Sequence, residues 1–196
     1  MLGRPNGSHG PRRALVTAPQ HQVQVSVAHR FRRSLPTPLV RRWALRSLRL
    51  LKQPSGVSLD IAVTGDQEVQ ELNRDYRGVD EPTDVLSFPY SDAAQPGPFL
   101  GGGDRPEPLA DSFILPDTAG IPLGEIVIAL PYAERQAQLG GHTLHQEACL
   151  LVVHGILHLL GFNHEEPGER RAMWDTTVAI LAGLKVEPPP SFMSSY

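Results

Sequence analysis

Three histidines carry the strongest chemical signal in this chain: His154, His158 and His164, spaced His-x3-His-x5-His. The first two lie in Ala148 to Leu160 (ACLLVVHGILHLL), which is apolar almost all round and predicts a buried central helix. Four residues apart, they fall on one face of that helix, one turn above the other. Burying two imidazoles without partners costs on the order of a few kcal/mol, and a metal ion removes that cost by accepting a lone pair from each. Gly161 ends the helix and lets the chain turn, so that His164 returns to the same point. Zinc is the default metal for neutral imidazole ligands. Three protein ligands leave a fourth position for water, which is the catalytic pattern rather than the structural one.

The spacing matches the ligands of metzincin proteases, but one chemical element is missing. A zincin protease has Glu directly after the first histidine as general base, and here that residue is Gly155. Peptidase activity lacks its base, although the metal site remains.

The elements that must position these residues follow from periodicity. Val23, Val25 and Val27 alternate with polar residues as a half-buried strand. Pro38 opens a basic amphipathic helix to about Lys52, and Ser58 to Val63 is a second strand. Asp66 is expected to cap a helix that runs to Arg77 and ends at Gly78. Asp84 to Phe88 and Leu123 to Leu130 are two further strands. Helices follow from Pro131 to Leu139, from a Thr143 cap to Leu160, and from Pro167 to Leu181. The expected class is α+β: a small four-stranded mixed sheet packed with about five helices, one of them a zincin-like helix carrying the metal ligands. Residues 1–20 read as a basic, disordered extension, 21–185 as one catalytic domain, 91–120 as a long Pro/Gly-rich surface loop, and 186–196 as a flexible tail.

Bulk properties narrow the class. The 196 residues are 40% hydrophobic and 20% charged, as expected for a soluble globular chain. One cysteine, Cys149, excludes an internal disulfide and reads as a small buried hydrophobe. The longest apolar run, Ala148 to Phe162, is too short and too polar to span a bilayer. No secretory signal is visible, and the cytoplasm is the expected compartment, although an organellar transit peptide is equally Arg-rich and acid-poor. The net charge of −3 conceals an asymmetry: residues 1–59 hold eleven Lys or Arg and no acid. The remaining 137 residues carry seven basic and all 21 acidic side chains, or −14. Such a basic segment suits nucleic acid or an anionic surface, or is a solvated extension. Arg41, Arg42, Arg46 and Arg49 share a face of the first helix, where phosphate tracking and simple solvation are equally good readings.

The run from His154 to His164 (HGILHLLGFNH) closely resembles the signature of the YbeY family of endoribonucleases. Two further stretches agree: Leu72 to Gly78 followed by Pro82 to Pro89 (PTDVLSFP), and Leu123 to Ile128, with Glu125 where Asp is usual. The resemblance implies an α+β fold and a zinc ion held by His154, His158 and His164. It implies single-strand-specific RNA cleavage in maturing the 3′ end of small-subunit (16S) rRNA, with His154 and Arg77 as catalytic residues. The implied partners are the rRNA precursor, the small ribosomal subunit and its assembly factors, with neither membrane nor DNA. Arg77 suits a phosphate, though a cation in the last turn of a helix is also explained by the helix dipole. Thr83, Asp84 and Ser87 could flank the cleft or be ordinary strand-end residues, and Glu165 and Glu166 could orient an imidazole or start the next helix. Whether the nucleophile is a metal hydroxide or the RNA 2′-hydroxyl stays open. The rivals are a metallopeptidase with an unusual base and a ribosome assembly factor with structural zinc.

Overall fold

Alternation along Gln22 to Val27 and Val57 to Thr64 buries every second side chain, as the pleat requires. The computed structural model describes residues 20–90 and 121–190. The strands are β1 (Gln22–Val27), β2 (Val57–Thr64), β3 (Val85–Pro89) and β4 (Ile121–Ala129), and the helices are α1 (Thr37–Leu50), α2 (Asp66–Arg77), α3 (Leu130–Leu139), α4 (Leu144–Leu159) and α5 (Pro167–Leu184). The sheet order is β1-β2-β4-β3. β1, β2 and β4 run parallel, and β3 is antiparallel to β4. The mixed sheet with five helices is the α+β class read from the sequence.

The two faces of the sheet bury different partners. Leu59, Ile61, Val63, Ile126 and Ile128 join one core with residues of α1, α4 and α5. On the other face Val127, Ala129 and Leu86 meet Val69 of α2. α4 therefore lies against the sheet, with α1, α3 and α5 around it. That arrangement explains why this helix is apolar on nearly all sides.

Two local expectations are corrected. Asp66 does not cap α2: the N-cap is Gly65, without a side-chain cap bond, and Asp66 opens the helix. Its carboxylate is paired instead with Arg135 of α3 at 2.7 Å. The fourth strand starts at Ile121, because Ile121 N–H donates to the Gly56 carbonyl and extends the ladder two residues back. Beyond α5, Val186 packs on the main core and the Glu187 carbonyl accepts from Gln146. The expected N-terminal extension through residue 19, the 91–120 loop and residues 191–196 lie outside the described residues. Among the described residues no helix is long and apolar enough to cross a membrane.

Candidate metal centre

α4 starts as its sequence dictates. Thr143 accepts from the Gln146 backbone N–H, and the Gln146 side chain accepts from the Thr143 N–H, a closed capping box. It ends just as sharply. Phe162 N–H donates to the Leu157 carbonyl and Gly161 N–H to the His158 carbonyl, a Schellman turn. Gly161 sits at φ +86°, a conformation that glycine adopts at no steric cost. This turn folds the chain back and brings His164 to the pair on the helix. The ring centroids of His154 and His158 are 4.4 Å apart, and His164 lies 5.7 and 5.2 Å from them. One ligand atom from each ring lies within 4.8 Å of the others, and Nε2 of His154 and of His158 are 2.9 Å apart.

Electrostatics favour neutral rings at His154 and His158. Burial pushes His154 down to about 3, helped by the neighbouring His158 and His164. Burial also lowers His158 to about 4, with His164 and then Arg77 acting in the same direction against a hydrogen bond to the backbone carbonyl of Phe162. Neutral imidazoles keep a lone pair for a metal at neutral pH. Three nitrogens at zinc–nitrogen distances of about 2.0–2.1 Å would stand roughly 3.4 Å apart in a tetrahedral site, a spacing that lies inside the 4.8 Å within which the three ligand atoms are gathered. The donor set therefore fits a zincin-like metal site. Arg77, expected from sequence at the cleft, ends α2 and is exposed, and its charge is felt at His158.

His164 is held by its backbone. Its N–H donates to Asn163 Oδ1 at 2.7 Å, and its carbonyl accepts from Arg170 Nε at 3.1 Å. Arg170 also reaches the Glu165 carbonyl. Glu165 and Glu166 are exposed, and Glu166 is the N-cap residue of α5. Gly155 faces the sheet: a Cβ there would meet three Ile126 side-chain atoms at 2.9–3.0 Å. The position of a protease's glutamate is thus used for close packing of α4 on β4.

Asp84 has hydrogen-bond partners of its own. Its Oδ1 accepts from the Val85 N–H and the Thr83 hydroxyl. With its amide oriented toward the carboxylates, Gln136 donates to Glu147 Oε1 at 2.9 Å and to Asp84 Oδ2 at 3.3 Å. Glu147 in turn sits 2.5 Å from His142 Nε2, and both are almost fully buried. Burial raises the Glu147 carboxyl above its usual value, and nearby Asp84 raises it further, while His142 opposes both. Sequence reasoning missed this cluster. The available signal was Glu147 seven residues before His154, an acid on the same face of an otherwise apolar helix. Ser87 pairs in register with Ile126, and Glu125 with Phe88.

Comparison with known proteins agrees with this geometry. The family model described as Endoribonuclease YbeY matches residues 27–185. A protein named Endoribonuclease YbeY from Dehalococcoides mccartyi is 37% identical over 158 residues, 80% of this chain and 86% of that one. Its namesake from Pelotomaculum thermopropionicum is 40% identical over 76% of this chain and 87% of its own. The Alkalilimnicola ehrlichii protein of that name is 36% identical over 90% and 95%. The solution structure of TM1509 from Thermotoga maritima superposes with a TM-score of 0.51 at 20% identity, covering 84% of this chain and 92% of that one, and shares the fold. With its histidine cluster, its mixed sheet and a match over most of its length, the chain belongs to the YbeY endoribonuclease family.

Proposed function

We propose that this chain is a zinc-dependent endoribonuclease that cuts single-stranded segments of rRNA precursors in the cytoplasm, in maturing the 3′ end of small-subunit rRNA. Its partners in this reading are the precursor, the small subunit and its assembly factors, and residues 21–185 are the catalytic domain. The observation that carries the reading is the convergence of three imidazoles, two of them strongly disfavoured as cations, with the charge of an exposed arginine felt at the site. His154, His158 and His164 are the ligands. Zinc held there supplies Lewis acidity, which stabilises charge developing on a phosphoryl oxygen and lowers the pKa of water.

The chain's own residues do the rest. Arg77 projects from the end of α2, and its guanidinium binds a phosphate through paired N–H donors. Its positive charge adds a small push, after burial and His164, against protonation of His158. His154, held neutral by burial and by its two neighbouring histidines, contributes as ligand. Gly155 presses α4 onto Ile126 and leaves no room for a glutamate base, which weighs against a peptidase.

The test pairs metal analysis with cleavage. Wild-type protein should bind about one zinc per chain and cut unstructured rRNA but not casein. Arg77→Ala should keep its metal and lose about 10²-fold in RNA cleavage, the usual cost of one charge-stabilising donor. Casein digestion, or RNA cleavage undiminished after chelation, would sink the reading. Mapping small-subunit rRNA 3′ ends in cells lacking the protein tests the substrate.

A further inference from the structure

The arginine excess before Asp60 plays no part in the site described above. Residues 20–59 contain seven Arg, one Lys and no acid. Some of these cations are already engaged. Arg30 pairs with Glu68, Arg32 Nε donates to the Val27 carbonyl, and Arg46 Nε donates to the Gly183 carbonyl. Arg41, Arg42 and Arg49 of α1 are exposed and pair with no carboxylate among the described residues. At 100° per residue, Arg41, Arg42, Arg46 and Arg49 fall within an arc of about 140°. The opposite arc is buried through Val40, Trp43, Ala44, Ser47 and Leu48.

Two features mark this face as more than a solvated helix surface. A solvated helix is stabilised by opposite charges at i and i+4, and by acids in its first turn. α1 has no acid in its first turn and sets Arg42 against Arg46, like charges at i and i+4. The positive field is also felt nearby: His21 is held below its usual value by burial and then by Arg49.

We propose that the exposed face of α1, through Arg41, Arg42 and Arg49, is a second RNA-contact surface that grips substrate phosphates outside the cleavage site. The choice of RNA among polyanions rests on the endoribonuclease reading. Guanidinium groups bind phosphates in a planar fork, and an RNA backbone relieves the repulsion along the helix. A membrane surface fits less well. An interfacial helix needs a free apolar face, and that of α1 is consumed by the core. α1 packs through its opposite arc on α4, the helix that carries His154 and His158. The rest of the chain carries most of the negative charge, which steers RNA toward this side.

The test measures binding of single-stranded rRNA in a His158→Ala background, where the strand stays intact. Log affinity is followed against log salt from about 50 to 200 mM. Replacing Arg41, Arg42 and Arg49 together by Gln should flatten the slope by about 2, since each single-strand contact contributes about 0.7. The triple Lys variant should keep the slope. With His158 restored, the Gln variant should raise KM for long RNA roughly tenfold with kcat unchanged. Circular dichroism confirms that each variant folds. An unchanged slope, or a Lys variant as impaired as the Gln variant, overturns the proposal. So does Arg-dependent binding to phosphatidylserine vesicles with RNA binding unaffected, which would assign the face to a membrane. If wild-type protein cuts no RNA but the slope still falls, the endoribonuclease reading fails and the RNA surface stands.

Discussion

Helix α4 carries histidine chemistry near both ends, and the two ends differ in one respect. At its C-terminal end His154, His158 and His164 face one another, and among the described residues no carboxylate joins the cluster. Before its N-terminal end His142 meets Glu147, which Gln136 links to Asp84. In the second cluster each carboxylate already has donors and His142 Nε2 has an acid, while His142 Nδ1 is buried without a hydrogen-bond partner among the described residues. The first gathers three ring nitrogens that could hold a metal ion. A buried histidine next to an acid is a structural bond, whereas several neutral histidines with no acid need a further Lewis acid. Residue type alone does not separate these cases. The partner does.

The largest effect that would break this contrast is expected at the C-terminal end. His158→Ala should abolish stoichiometric metal binding and cut RNA cleavage by about 10³-fold or more, the equivalent of several kcal/mol. Unfolding of the metal-free protein should change little. A variant that retains its metal would make the two ends equivalent.

The next effect is on stability, at the N-terminal end. Glu147→Ala leaves His142 and Gln136 without their acceptor in the core, so it should cost about 2–3 kcal/mol in urea denaturation. Metal stoichiometry should stay at wild type. Loss of metal with intact stability would mean that the clusters are one system.

The third is pH dependence of the metal-free protein. His154 and His158 have folded pKa values of about 3 and 4, below the ordinary value of 6.5. The unfolded chain therefore binds more protons between those values, and stability falls as pH drops from about 6.5 toward 4. His154→Asn with His158→Asn should flatten that fall in Tm. Glu147 has the opposite sign. Its raised carboxyl pKa costs stability as pH rises above the ordinary carboxylate range, and Glu147→Gln should remove that slope. Parallel pH profiles for the two sets of variants would erase the distinction.

The smallest effect concerns the backbone that presents His164. Arg170→Ala removes an exposed bond to its carbonyl and should weaken zinc binding by about tenfold, the lower end for groups that orient a ligand. Competition with a chelator reads this directly. An unchanged affinity would show that Asn163 and the Gly161 turn suffice.

Much of this was legible in the residues themselves. The period of α4, the Thr143 cap, the Gly161 stop and the histidine spacing are local signals, and the structure places all of them as read. Gly155 spoke against a protease base by residue type alone. The sheet and helix count followed from alternation and from the Pro and Gly stops. The strand order, the Asp66–Arg135 pair and the Glu147 cluster were not legible, because their partners lie on other elements. Asp84 shows why: on a strand end beside a family motif it reads as a cleft residue or as an ordinary strand-end residue, and only packing shows that its oxygens accept from Thr83, Val85 and Gln136. Sequence alone determined which residues could hold a metal, because an i, i+4 pair and a turn glycine are short-range geometry. Tertiary structure decided which buried groups were already satisfied, because satisfaction depends on neighbours that only packing brings together.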